Sequence, residues 1–439
     1  MLSDALPLSI CLPQPPAFER LAQHLPAAWI EAALEYTGRA SIRRRRLPAE
    51  QVVWLVIALA LYRHHSVQQV LADLDLSLPD LPLITDSAVT QARARLGAAP
   101  LKWLFETSAA GWARQHQEHG TYRGLQLLAM DGTTLRLADS RANRDHFGAQ
   151  GYAAGAVSSY PQLRAVTLCA LETQLVLAAR FGPYATAEMT FAKQLLPDIP
   201  ERSLTIVDAG YFGAAVLVGL QSLGGERHFL IPAKATARWR LLEGDANDGL
   251  VEMAVSWQAR QLNPALPATW QARVFRYALP DGRTKIFLTS LLDRQAFPAR
   301  ELGACYALRW RIETSYRELK QTMLGMEMTL RSQTVDGTEQ EVWGAFIAYN
   351  LIRQEMAHAA RAADCAPTEI SFVLAFHTIQ NELLWATPNM AQGRLPEMLK
   401  RIRERLVLLL KVQRPGRKFG RVVKAKPQRY PERRLRKTA

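Results

Sequence analysis

To about residue 123, apolar side chains recur at every third or fourth position, which predicts helices over 26–36, 48–62 and 67–74. A further helix is expected from Asp86 or Ser87, either of which can cap it, through Leu96, with Gly97 as its stop. Val89, Ala92 and Leu96 form its buried stripe. Gln91 and Arg95, four residues apart, project together from another face, as a reading helix would present them to a DNA groove or as any amphipathic helix exposes polar residues. From Leu125 the pattern changes to short apolar runs, over 125–130, 163–171, 174–181 and 204–207, with a hairpin turn at Glu172-Thr173 and a helical stretch over 187–196. Three strands, a helix and a fourth strand is the order of a ribonuclease H-like α/β domain. Alternation returns over 251–257, 271–277 and 284–288, with Asp281-Gly282 as a turn, and reads as a β-rich insertion. Helices resume over 299–324 and 341–361.

At 439 residues the chain is too long for one ordinary core. The expected division is a helical N-terminal region (1–118), a first part of the α/β domain (119–240), the β-rich insertion (241–294), a second part of the α/β domain (295–370) and a C-terminal helical region with a basic tail (371–439). Hydrophobic residues at 49% and charged residues at 21% fit a globular rather than a disordered protein. The longest apolar run, 52–62, is too short to span a bilayer, and no membrane association is expected. The first residues lack the pattern of a secretory signal. Cys11, Cys169, Cys305 and Cys365 have no paired spacing that would suggest zinc or a disulfide framework, so a reducing cytoplasm is expected.

Charge changes the picture most. Lys and Arg exceed Asp and Glu by 54 to 40, a net +14 that draws in polyanions, nucleic acid first among them. The run Arg43-Arg44-Arg45-Arg46 is either a solvated face or a phosphate-holding one, and the Lys/Arg-dense tail, interrupted by Pro415, Pro427 and Pro431, reads as a basic arm.

The chemistry starts from Asp131 and Asp208, each read as ending an apolar strand run, where an ionised carboxylate must face a cleft or a cation. Hard oxygen ligands of this kind suit Mg²⁺ or Mn²⁺. A third carboxylate, Glu313, lies in a stretch read as one helix over 306–320. At about 100° per residue, Tyr306, Arg309, Glu313 and Lys320 fall within a stripe of roughly 60°. Leu308, Ile312, Tyr316 and Leu319 form a separate apolar stripe for docking on a sheet. His146 is read as a loop residue, Met323, Met326 and Met328 as core fillers, and Arg164 as structural or DNA-touching.

These intervals, Tyr306, two residues, Arg309, three residues, Glu313, six residues, Lys320, resemble the signature of DDE transposases of the insertion-sequence-four type. Asp131-Gly132-Thr133 and Asp208-Ala209-Gly210-Tyr211 match that family's first two acidic motifs in order, and the resemblance covers nearly the whole chain. It implies a ribonuclease H-like core interrupted by a β-rich insertion, with an all-α N-terminal domain and a helical, basic C-terminal region. It also implies two Mg²⁺ or Mn²⁺ ions held by Asp131, Asp208 and Glu313, with Tyr306, Arg309 and Lys320 gripping phosphates. Partners implied are double-stranded DNA, as terminal inverted repeats and as target, and a second copy of the chain on paired ends. Some members pass through a hairpin with a base flipped against aromatic residues; Phe287 is the nearest candidate for that platform, and Trp310 reads as packing. A related nuclease that only cleaves, or an inactive DNA-binding regulator, are the competing classes.

Overall fold

The computed structural model describes residues 24–40, 47–74, 76, 84–116, 120–151, 158–279, 282–325, 329–389, 405, 406 and 409. Arg43 to Arg46, Asp281, Met326, Met328 and the basic tail lie outside the described residues. Among the described residues five helices come first: α1 (Ala27–Tyr36), α2 (Ala49–Leu61), α3 (Val67–Asp73), α4 (Asp86–Leu96) and α5 (Ala99–Gln115). The α4 cap is Thr85, whose hydroxyl accepts from the Ala88 N–H, rather than Asp86 or Ser87, which already lie in the first turn. Gly97 ends α4 at φ +70°, a conformation that costs a glycine least. The sequence pattern hides α5 because Pro100 looks like a breaker, yet in a first turn proline's missing N–H has no partner to lose.

A mixed sheet follows, built among the described residues from β1 (Thr121–Tyr122), β2 (Leu125–Arg136), β3 (Gln162–Ala170), β4 (Val176–Pro183), β5 (Ser203–Ile206), β6 (Arg227–Pro232), β7 (Arg240–Gly244), β8 (Asp248–Ala254), β9 (Thr269–Ala278) and β10 (Thr284–Thr289). Its order is β4-β3-β2-β5-β6-β10-β9-β8-β7, with β1 paired to β2. The first three long strands form an antiparallel meander, and β5 and β6 then run parallel to β2. That arrangement fits a ribonuclease H-like core. The β-rich stretch is continuous with it, because β10 pairs with β6 through Phe287↔Pro232, Leu288↔Ile231 and Thr289↔Leu230. The alternation read over 251–257 stops at Ala254, since Ser256 caps a short helix, α9, over Trp257–Leu262. Before it come α6 (Arg141–Phe147), α7 (Glu188–Leu195) and α8 (Ala214–Ser222). His146 lies exposed on α6, not in a loop.

After the sheet come α10 (Ala299–Ala307), α11 (Trp310–Arg317), a π-helical turn over Glu318–Met323, α12 (Val335–Ala362) and α13 (Phe372–Asn389). Because successive strand residues face opposite sides, the sheet splits the core into two layers. Ala129, Ala165 and Cys169 share one layer with α2, α5, α11 and α12. Leu128, Met130 and Val166 share the other with α7, α8 and the inner residues of β8 and β9. Buried α12 begins six residues earlier than the apolar pattern suggests. Its polar first turns are satisfied at a distance: Arg93 of α4 donates to Gln340, Ser332 and the Gly337 carbonyl, and the Ala98 N–H donates to Asp336.

Candidate active site

Strand register brings the first two acids together. The parallel β2–β5 ladder ends at Ala129↔Ile206, and Asp131 and Asp208 each lie two residues beyond that last pair. Asp131 is therefore inside β2 rather than at its end, since β2 runs on against β3 to Arg136, which also bridges Thr329. Past Ile206, β5 stops, Asp208 turns the chain with its carboxylate accepting from the Gly210 N–H at 2.7 Å, and the sheet opens into a notch. A carboxylate at this place meets solvent and other charges instead of a neighbouring strand.

Glu313 reaches the same notch from α11. Arg309 links the two sides: its guanidinium lies 3.6 Å from Asp131 Oδ2 and 2.8 Å from Glu313 Oε1. Burial, and then the charges of Asp208 and Glu313, push the Asp131 carboxyl up to about 6, against the pull of the Gly132 N–H and Arg309. Asp131 thus feels both other carboxylates, with Arg309 offsetting part of that repulsion. Hard oxygen donors gathered in this way are the donor set a divalent cation takes. Among the described residues, however, no three acidic, histidine or cysteine side chains are arranged to hold an ion as they stand. Arg309 lies between two of the acids. The residues fit the chemistry of a divalent site.

The other signature residues surround the acids. Tyr306 packs on Phe287 with ring centroids 4.7 Å apart, and Lys285 and Arg309 approach its ring at 5.7 and 5.9 Å. Burial raises its hydroxyl pKa, and the charges of Asp208 and Glu313 act in the same direction. Lys320 is pulled down to about 8 by burial and by Arg136, while Asp131 opposes the shift.

The local backbone differs from one continuous helix over 306–320. Helix α10 ends at Ala307, and Leu308, Arg309, Arg311 and Ile312 donate to carbonyls three residues back, a tightened turn between α10 and α11. Lys320 then sits in the π-helical turn. Over-winding followed by under-winding replaces the even 100° step, and such irregular turns are frequent at functional sites. Tyr306 and Arg309 meet the sheet at Phe287 and Asp131, and Arg309 in turn holds Glu313 four residues on.

Gln91 and Arg95 are exposed on the outer face of α4, with the Arg95 carbonyl accepting from Arg39 and Gln91 reaching Ser87. Phe287 is fully buried between Phe275 and Tyr306, so it has no free face for a flipped base. Trp310, read as packing, is instead 55% exposed, with the Arg309 guanidinium 5.7 Å from its ring. Arg164 is structural here: it donates to the Thr186 carbonyl and lies over the Tyr184 ring.

Sequence reading missed Arg136, Lys285, Glu188 and Tyr316. Glu188 explains Gly132, because a Cβ there would come within 2.5 Å of its carboxyl carbon. Tyr316 was assigned to the apolar stripe and is buried, but its hydroxyl donates to the Asp131 main-chain carbonyl. Periodicity carries no signal for that bond.

Residues 15–106 match the family described as insertion element 4 transposase N-terminal, and residues 122–351 match the transposase DDE domain. The chain is 34% identical over 414 residues to Transposase InsG for insertion sequence element IS4 of Escherichia coli (strain K12), covering 94% of this chain and 93% of that one. It is 35% identical over 237 residues to Putative transposase InsZ of the same strain, covering 53% and 78%. A piggyBac transposase synaptic complex with hairpin DNA overlaps at a TM-score of 0.42 and 10% identity, over 93% of this chain and 88% of that one, a likeness too slight to weigh.

Proposed function

We propose, on the premise that this chain belongs to the insertion element 4 group of DDE transposases, that Asp131, Asp208 and Glu313 are its catalytic acids. The protein is a DNA transposase, an enzyme that cuts DNA, and its family works with divalent metal ions. The observation that carries the assignment is the notch beyond Ala129↔Ile206, where Asp131 feels the charges of both Asp208 and Glu313.

The three carboxylates would hold two Mg²⁺ or Mn²⁺ ions. Ions bound there supply an activated attacking oxygen and stabilise the oxygen that leaves the phosphodiester. The chain's own residues do the rest. Arg309 leaves its bridge between Asp131 and Glu313 to take a phosphate oxygen, for which a planar guanidinium is suited. Lys320 adds a point charge on the other side, and the Tyr306 hydroxyl, kept protonated by burial, donates to the same backbone. Lys285 extends this cationic margin past Tyr306. Together they fix the scissile phosphate over the acids, and that positioning is their share of catalysis.

Gln91 and Arg95 on α4 and the run Arg43, Arg44, Arg45, Arg46 would bind the element's terminal repeats, with target DNA as second substrate and a second copy of the chain on paired ends. The division at 118, 240, 294 and 370 remains our reading of the functional regions. No helix among the described residues is long and apolar enough to cross a membrane, and we place the protein in the cytoplasm, on the nucleoid when bound.

The test uses a duplex carrying the inverted repeat that flanks the coding region, with Mg²⁺. Asp131→Asn, Asp208→Asn and Glu313→Gln should each lower cleavage and strand transfer at least about 1,000-fold while retaining DNA binding. Cleavage undiminished in any of the three removes that residue from the assignment. Cleavage by the wild type without joining of a pre-cut end would make the protein a nuclease only.

A further inference from the structure

Tyr316 lies one turn after Glu313 on α11, on the side packed against the sheet. Its hydroxyl donates to the main-chain carbonyl of Asp131 at 2.5 Å and lies 2.9 Å from Thr167 Oγ1. A phenol has one proton, and the carbonyl can only accept it, so the Thr167 hydroxyl must donate to Tyr316. Thr167 Oγ1 is in turn 3.6 Å from Cys169 Sγ, whose thiol proton completes a one-way series ending at Asp131. All three side chains are buried, and burial raises the pKa of Tyr316 and pushes Cys169 up to about 12, which keeps both protons in place.

A phenylalanine ring would fill the same space without bringing a hydroxyl out of water, so an oxygen buried here has to be satisfied by a specific partner. That partner is the backbone of the first acid, and the helix that carries the hydroxyl also carries the third. A second anchor holds the following π turn, where Glu318 pairs with Arg353 and accepts from Tyr349. Between them, α11 is pinned in height and rotation at its inner face.

We propose that Tyr316 is a positioning residue for phosphoryl transfer: its hydroxyl, seated on the Asp131 carbonyl, sets the separation between the carboxylates of Asp131 and Glu313. This rests on the reading that those two residues are catalytic acids. The bond acts on the helix, so its loss displaces Glu313 without touching DNA or removing any acid. Misplacement of about 1 Å at a reacting centre costs on the order of 100-fold. Mg²⁺ demands near-ideal octahedral geometry, so the loss should be larger with Mg²⁺ than with Mn²⁺.

The experiment compares full-length wild type, Tyr316→Phe, Thr167→Val and Glu313→Gln on the same inverted-repeat duplex. Tyr316→Phe should lower the single-turnover cleavage rate roughly 10- to 100-fold with Mg²⁺ and less with Mn²⁺, at unchanged DNA affinity. It should also weaken Mn²⁺ binding to the complex with a pre-cut end, read without turnover from the paramagnetic resonance of free Mn²⁺. Thr167→Val keeps the Tyr316 to Asp131 bond and should stay near wild type. An unchanged Tyr316→Phe rate, equal losses with both metals, or equal losses in Tyr316→Phe and Thr167→Val would each overturn the proposal. If Glu313→Gln is inactive while Tyr316→Phe is normal, only the positioning role fails. If Glu313→Gln is active, the assignment beneath it fails.

Discussion

Replacing Arg353 with methionine should destabilise the protein far more than the loss of one surface charge. Its side chain is fully buried in α12, ion-paired with Glu318, donating to the Tyr349 hydroxyl at 3.0 Å and lying over the rings of Phe372 and Tyr349 at 5.0 and 5.5 Å. Methionine keeps most of the apolar volume but strands the Glu318 carboxylate, whose side chain is 7% exposed. Breaking a buried pair from one side costs about 3–5 kcal/mol, chiefly through the charge left behind. With an unfolding entropy of about 2.1 cal/mol/K per residue, a chain of 439 residues shifts by about 1 °C per kcal/mol, so Tm should fall about 3–5 °C. Glu318→Gln in the same background removes the stranded charge and should restore stability to within about 1–2 kcal/mol of wild type. Calorimetry and guanidinium titration of the wild type, both single variants and the double variant give the coupling directly. A Arg353→Met protein as stable as wild type, or a double variant no better than the worse single, would refute the account of this pair as a mutually dependent buried anchor.

Lys320, pulled down to about 8, carries its charge at pH 7 and loses it as pH rises through 8, so DNA affinity should fall between pH 7 and 9 in wild type but not in Lys320→Arg; parallel pH profiles by fluorescence anisotropy would contradict this. At pH 7, Lys320→Ala should reduce the slope of log affinity against log salt by about 0.9, the loss of one phosphate contact. Gly132→Ala forces a methyl group to within 2.5–2.9 Å of the Glu188 carboxyl group, which is partly exposed and able to shift, so a cost of about 1 kcal/mol is expected, relieved by Glu188→Ala in chemical denaturation. Phe287→Ala should cost about 3–5 kcal/mol and disturb Tyr306, whereas Trp310→Ala should change stability by no more than about 0.5 kcal/mol; similar melting curves for the two would contradict their opposite burial.

Chain order and spacing singled out Asp131, Asp208 and Glu313, and the resemblance of their motifs to a family signature supplied the chemistry proposed for them. The intervals among Tyr306, Arg309, Glu313 and Lys320, and the two aspartates placed after apolar runs, are local properties that any reader of the sequence can count. The early strands and most helices were legible for a similar reason, since a period of two or of three to four reports which side of a segment is buried. Tertiary contacts decided the rest. Where β5 stops relative to β2 puts Asp131 and Asp208 at one notch, and a single-strand pattern holds no information about a partner's register. The tightened turn at 308–309 and the π turn after Arg317 replace the even helix that counting predicts, because α11 must meet the sheet through Tyr316 and α12 through Glu318. Phe287 and Trp310 exchange their expected places on the same grounds: an aromatic side chain is buried or exposed according to what packs on it from elsewhere in the chain, and hydrophobicity by itself does not say which.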